Sequence, residues 1–336
     1  MNEISIQTFA DTVKQKLLQH LSASYPNLNI HLHQVPKPGG ILLTGLSIQA
    51  PGSSVAPVFY LDDHYYHYRE GTSMDDILCE LVQAYEICNH EVPEIDCKSL
   101  TDWNYSKPHI VGRFINISGQ PGDRYFTTRP VTEMIGTDIG IVYDIDLFSF
   151  TGKAFVMPVD FTLMDTWKIT VQDLEETARE NLPKLRPVFY DTIINMLKDT
   201  TDYRRNEQGI MDTSIKEMAA SIDIQTFPEL PVYVVTNTQR CNGAISITYP
   251  GVYEEIRQIF KEDFYILPSS VHECMCVPKS CSSPEELLSV VTEINHTTIS
   301  KTSFLCDDVF EMKNGQLAPA LSPDERNQAL LHNVPL

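Results

Sequence analysis

The chain lacks most of the motifs that announce a chemistry. It contains no GxxxxGK[ST] phosphate loop, no GxGxxG after a strand, no HExxH and no GxSxG elbow. These absences remove the standard signatures of nucleotide hydrolysis, dinucleotide chemistry, zinc proteolysis and the α/β-hydrolase nucleophile. Positive charge is scarce as well. Lys plus Arg total 25 against 45 Asp plus Glu, a net charge of −20, and Arg204-Arg205 is the only tight basic pair. Such a surface repels phosphate, so neither nucleic acid nor an anionic membrane is an expected partner. No apolar run approaches the roughly 20 residues of a membrane-spanning helix. The N-terminal MNEISIQTFADTVKQKLLQHL has no basic segment followed by a continuous apolar stretch, so it does not read as a secretory signal. The expected compartment is the cytoplasm, where the eight cysteines (79, 88, 97, 241, 274, 276, 281 and 306) stay free thiols.

What is present reads as an ordinary globular α+β protein. A length of 336 residues with 42% hydrophobic content suits two domains. Ile6, Phe9, Val13, Leu17 and Leu21 recur at helical spacing. Strands are expected near 30–35, 41–50 and 56–61. Thr72-x-x-Asp75 then opens a helix that turns Ile77, Leu81, Ala84, Tyr85 and Cys88 inward. Residues 109–117 read as strand or helix, and 138–150 with 153–159 as a hairpin around Thr151-Gly152. Thr170-x-x-Asp173 caps another helix, and Pro187 is read as starting one more. The polar stretch 199–228 reads as a linker.

Beyond it, strands at 231–237, 243–249, 264–267, 271–277 and 303–312 alternate with helices at 250–260 and from Ser283. Ser283-Pro284-Glu285-Glu286 is a strong helix start. The expected architecture is mostly antiparallel sheets with helices packed on one face, in two domains. The first is an N-terminal α+β domain at 1–222, with subdomains 1–100 and 108–200. The second is a C-terminal ββαββαβ domain at 228–322.

Four stretches carry a likeness: LSIQAPGSSVAPVFYLDDHYYHYREGTSMDDIL at 46–78, DTWKITVQDLEETARENLPKLRP at 165–187, LPVYVVTNTQRCNGAISITYPGVYEEI at 230–256 and FYILPSSVHECMCVP at 264–278. Together they resemble the bacterial family catalogued as domain of unknown function 5688. The resemblance implies a cytoplasmic protein of gut-type anaerobic bacteria and implies no reaction. The sequence departs from the family pattern at Cys274 and Cys276, where aliphatic residues are expected, and in the region 108–150.

Candidate chemistry is thin. Ser270, His272 and Glu273 in PSSVHE are the catalytic candidates: a hydroxyl and an imidazole on one strand face suggest a nucleophile and base. Glu273, however, points to the other face, and the serines (Ser269 and Ser270) also read as shaping a turn. His272, Cys274, Cys276 and Cys281 suggest zinc, but a strand spaces them too evenly for one small ion, and the cysteines also read as small core residues. Asp62, His64 and His67 in DDHYYH are the metal candidates, set against a solvated acidic turn beside packed tyrosines. Trp167 reads as packing the N-terminus of the helix at 170–182. No cofactor is expected.

The leading functional expectation is a non-catalytic intracellular protein-interaction or regulatory module with another protein as partner. The alternative is a hydrolase working through Ser270, His272 and Glu273. An acidic mimic of nucleic acid is a third reading.

Overall fold

A computed structural model describes residues 4–53, 56–89, 96–118, 123–134, 136–147, 156–196, 231–268 and 270–332. It is an α+β protein with three mostly antiparallel sheets. Contacts divide the chain into two compact units. One comprises Met1–Ser106, Pro121–Thr127 and Asp146–Val156, and the other Lys107–Gln120, Thr128–Ile145 and Met157–Leu336. The expected domain boundary at 222–228 and the Thr151-Gly152 turn lie outside the described residues.

The first unit begins with helix α1 (Ile6–Leu21), capped by the Ser5 hydroxyl, which accepts from the Thr8 N–H. Its buried stripe of Phe9, Val13, Leu17 and Leu21 packs on a three-stranded sheet, β1 (Asn29–Lys37), β2 (Ile41–Gln49) and β3 (Val58–Tyr60). Each such apolar side chain contributes roughly 1.5–3 kcal/mol as an upper figure. Antiparallel register sets Leu32 opposite Leu46 and Leu46 opposite Phe59, all facing the helices. Helix α2 (Asp62–Arg69) stands where the sequence suggested an acidic turn. It is held because Tyr65 and Tyr68 stack within 5.5 Å of Phe9. Helix α3 (Met74–Asn89) buries Ile77, Leu78, Leu81 and Tyr85 in the same core. Its cap is Ser73, bonded to Asp76, one residue later than expected.

The second unit holds a sheet of β4 (Ile110–Asn116), β6 (Ile139–Asp146), β5 (Val131–Glu133) and β7 (Val156–Pro158), in which Val156 belongs by contacts to the first unit. Residues 109–117 are thus a strand. The larger sheet has the order β13-β12-β10-β11-β9-β8: Gln316–Pro319, Phe310–Lys313, Phe264–Leu267, Cys274–Pro278, Tyr233–Asn237 and Val188–Thr192. Short helices at Trp103–Ser106 (α4) and Arg124–Thr127 (α5) precede this part of the chain in sequence order or interrupt it. Helices Phe161–Trp167 (α6) and Val171–Leu185 (α7) follow, and α7 carries the expected Thr170–Asp173 capping box. Helices Val252–Phe260 (α8), Pro284–Thr297 (α9) and Pro323–His332 (α10) complete the unit. The Ser283–Glu286 box caps α9 as expected.

Both faces of the larger sheet are covered. Val234, Leu267, Met275 and Val277 pack against Leu287, Leu288, Val291 and Ile294 of α9. On the opposite face Val235, Ile266, Cys274, Cys276 and Phe310 share a core with Val111 and Phe114 of β4, Leu182 of α7 and Ile256 of α8. β9 therefore has no outward polar face: Val235, Thr236 and Asn237 are as buried as Val234.

Several expectations are corrected. Residues 243–249 form a 3-10 helix (Ala244–Thr248) instead of a strand, and Ala244 through Ile247 are all buried. Pro187 precedes the strand β8, which pairs with β9, and not a helix. The strand expected over 271–277 starts only at Cys274. The strand expected over 303–312 is confined to Phe310–Lys313, joined to β13 by Asn314-Gly315. Both turn residues have positive φ (53° and 76°), the signature of a two-residue hairpin turn.

Candidate functional site

Polar groups are concentrated in the second unit, where β9 ends beside the segment 270–273. Thr236, Asn237, Ser270, Glu273 and Arg186 are all buried there or nearby in the chain's core. A buried polar group must find a partner. The Asn237 side chain finds its partners in the turn that follows β9. Its Oδ1 accepts from the Gln239 and Cys241 N–H groups, and its Nδ2 donates to the Cys241 carbonyl at 2.8 Å. The turn is tight: Arg240 (φ 51°) and Asn242 (φ 50°), the residues on either side of Cys241, are both left-handed. Gly243 closes it. A Cβ there would stand 2.6 Å from the Asn237 nitrogen and 2.8 Å from the His272 carbonyl oxygen.

This turn is stitched to the segment 270–273. The Gly243 N–H and the Thr236 hydroxyl both donate to the His272 carbonyl, at 2.9 and 2.7 Å, and the Ala244 N–H donates to Val271. The His272 ring enters the same turn: its Nδ1 accepts from the Asn242 N–H at 3.1 Å. The ring lies beside Cys241, whose sulfur accepts from Asn242 Nδ2 at 3.6 Å. Burial pushes the Cys241 thiol up. The neighbouring His272 ring, with the Arg186 and Arg113 guanidiniums, outweighs it and holds the thiol below its ordinary value.

The candidates named from the sequence are placed as follows. The Ser270 hydroxyl is fully buried and accepts from the His272 backbone N–H at 3.0 Å, a local turn-shaping bond. Because the strand begins at Cys274, Ser270 and His272 do not share a strand face. Glu273 is buried. Ser269 lies outside the described residues. Cys274, Cys276 and Cys306 are core residues whose thiols burial pushes up. Cys281 is exposed, and none of the eight cysteines is bonded to another.

In the first unit Asp62, His64 and His67 sit on α2 with separate partners. Asp62 accepts from the Thr44 N–H at 2.7 Å, His64 Nδ1 lies 3.2 Å from the Tyr60 carbonyl, and the His67 ring meets Tyr66 edge-on. Among the described residues, no three His, Cys, Asp or Glu side chains converge as a metal would require. Trp167 is buried at the end of α6, just before α7. An open groove of about 440 Å³ lies between β5 and α7. It is lined by residues including Thr132, Glu175, Glu176 and Arg179 and shares none with the Cys241 turn. No helix among the described residues is long and apolar enough to cross a membrane.

In the sequence Cys241-Asn242-Gly243 reads only as a polar turn between the apolar stretches 231–237 and 243–249. The pairing of Cys241 with His272, 31 positions away, arises because β11 lies beside β9, with Cys274 opposite Val235. A family model described as "Family of unknown function (DUF5688)" matches residues 6–314. The chain belongs to this family. Membership agrees with the resemblance read from the four stretches and assigns no activity. No curated protein and no solved structure matches the chain.

Proposed function

We propose that the protein is a non-catalytic interaction module that binds another protein through the outer face of the sheet β1–β2–β3. The composition of that face carries the reading. Register aligns His31, Ser47 and Val58 in one row and His33, Gly45 and Tyr60 in the next. His31, His33, Val58 and Tyr60 are exposed. In a chain with 45 acidic residues, none lies on these three strands. Lys37 reaches over the Tyr60 ring, 4.5 Å from its centroid. A solvent-facing surface of two imidazoles, Val58 and Tyr60, with a cation at its rim and no carboxylate on its strands, suits a partner presenting carboxylates beside a small apolar patch. The net charge of −20 weighs against nucleic acid or an anionic membrane as that partner. Eight cysteines outside any disulfide suit the reducing cytoplasm of a bacterium.

The hydrolase reading through Ser270, His272 and Glu273 draws less support, because the Ser270 hydroxyl is enclosed and bonded to the backbone of His272. The test is affinity capture from host extract with the full chain, a Val58→Asp/Tyr60→Asp double variant and an Ile259→Asp control. Ile259 is an equally exposed apolar residue on α8. One protein retained by wild type and control but lost with the double variant is expected. No retained protein, or equal retention by all three, overturns the proposal.

A further inference from the structure

We infer that Cys241 and His272 form a reactive thiol–imidazole site whose sulfur is oxidised by a small hydroperoxide. The site stands on an arrangement of several groups and not on one cysteine. The sulfur accepts from Asn242 Nδ2, and the His272 ring lies beside it in the same turn. The ring is fixed by the Asn242 N–H on Nδ1. Two guanidiniums face the sulfur electrostatically. Arg186, at the end of α7, is 4% exposed, and Arg113 comes from β4. The carboxylate of Asp144 tempers Arg113 through an ion pair at 2.8 Å, and that same carboxylate also holds Arg129 at 3.4 Å. Glu273, next to His272, is the other buried carboxylate of the segment.

The backbone supports the same reading. Lys168 and Lys261 are left-handed at helix C-termini and Asn314 in a hairpin, common places for that conformation. Arg240 and Asn242 are left-handed in a loop, as Asn27 is, and they bracket Cys241. Strain of this kind persists where surrounding bonds over-determine the turn, as the Asn237 side chain does here.

Anionic sulfur is the nucleophile, and hydrogen bonds with cationic neighbours stabilise it. It attacks one oxygen of the peroxide. The S–O bond forms and the O–O bond breaks, its electron pair leaving on the distal oxygen. The hydroxide released takes up the proton the thiol gave up and becomes water. The sulfur is oxidised by two electrons to a sulfenic acid, and the peroxide is reduced by two. Cys241 is half-buried, open enough for so small an oxidant, whereas Cys274, Cys276 and Cys306 are enclosed. The inference is independent of the proposed binding face, which shares no residue with this site.

The experiment uses the reduced full chain, limiting hydrogen peroxide and a 1,3-dione trap for sulfenic acid, with peptide mass spectrometry of all eight cysteines. If exposure alone decided reactivity, Cys79, Cys97 and Cys281 would label first, since they are the exposed ones. The expected result is Cys241 labelled several-fold ahead of them. The rate of its alkylation by iodoacetamide should rise with pH about a midpoint below that of an ordinary thiol. His272→Gln and His272→Ala should each slow the labelling and raise that midpoint. Should the alanine variant not fold, the glutamine variant and the wild-type profile still decide. Labelling of Cys241 no sooner than the exposed thiols overturns the inference, as does a midpoint unmoved in a folded His272 variant.

Discussion

The three-stranded sheet of the first unit and the six-stranded sheet of the second are both antiparallel, yet they treat their side chains differently. The smaller sheet buries one face. Ile30, Leu32, Leu46 and Ile48 point inward, and His31 and His33 point to solvent. The larger sheet buries both. Along β11 all of Cys274–Pro278 is enclosed, and β9 carries Thr236 and Asn237 into the interior beside valines. One covered face leaves a surface free for recognition. Two covered faces force every polar group to find a partner inside, and at the end of β9 those partners assemble the Cys241–His272 turn.

The largest expected effect tests the second cover. Val291→Asp places an unpaired charge where α9 meets Val234 and Leu267, and should cost roughly 3–5 kcal/mol. Urea denaturation of the full chain followed by circular dichroism measures it. A midpoint equal to wild type would put that stripe in solvent and leave the larger sheet with one covered face.

Glycines on the two sheets sharpen the contrast. At Gly243 an added methyl meets the backbone nitrogen of Asn237 at 2.6 Å and the backbone oxygen of His272 at 2.8 Å. Neither can move without dismantling the turn, so Gly243→Ala should cost about 1–3 kcal/mol and slow Cys241 alkylation. At Gly45 the obstacles are side chains on an open face: Val35 at 2.8 Å, His33 at 3.1 Å and Val58 at 3.2 Å. Val35 and Val58 are β-branched and must turn about χ1 to make room, but the nearest obstacles are side chains and not backbone, so Gly45→Ala should cost about 1 kcal/mol, less than Gly243→Ala. Equal losses in thermal melts would mean that the outer face of the small sheet is as confined as the interior of the large one.

The same contrast explains what was legible in the sequence. Helix α1 and the capping boxes at Thr170 and Ser283 are local devices, and their residues state them. The small sheet shows its alternation because one side is wet. The two-sided sheet does not, which is why Ala244–Thr248 passed for a strand: a fully buried apolar run has no period to read. Strand β8 was hidden for a related reason, since all five of its residues are only half-buried. Asn314-Gly315 is a hairpin signal in the chain, but the four-residue strands beside it are too short to show an alternation. Cys241 and His272 come together through strand pairing, which no local spacing records.

A smaller effect concerns the larger sheet's open end. Glu311 on β12 is held by Lys279 and by Lys313, the latter at 2.7 Å. Burial pushes its carboxyl up, but the two lysines outweigh that and leave it below its ordinary 4.5. A carboxyl with a lowered folded value stabilises the fold fully above 4.5, and the contribution fades as pH falls through the folded value. Both lysines are at least a third exposed, so solvent screening keeps the gain to about 1 kcal/mol or less. Glu311→Gln should therefore lower stability slightly at pH 7 and match wild type at pH values well below 4.5. A gap that persists in acid would show that packing, not charge, holds this end.

The smallest expected effect falls on the face where the largest consequence for binding is proposed. Val58 is 40% exposed on β3, a three-residue edge strand, with its neighbours His31 and Ser47 in the same outward row. An aspartate there stays hydrated, so no buried charge arises, and the inward Phe59 that anchors the strand is untouched. Val58→Asp should change the unfolding free energy by no more than about 0.5 kcal/mol, against several for Val291→Asp. If the proposed binding face is right, the same substitution also introduces the first carboxylate on three strands that have none, facing a partner expected to bring its own. Binding then falls through like-charge repulsion while the fold does not. A large loss of stability from this one change would mean that something covers the outer face of the small sheet, and the difference between the two sheets would disappear.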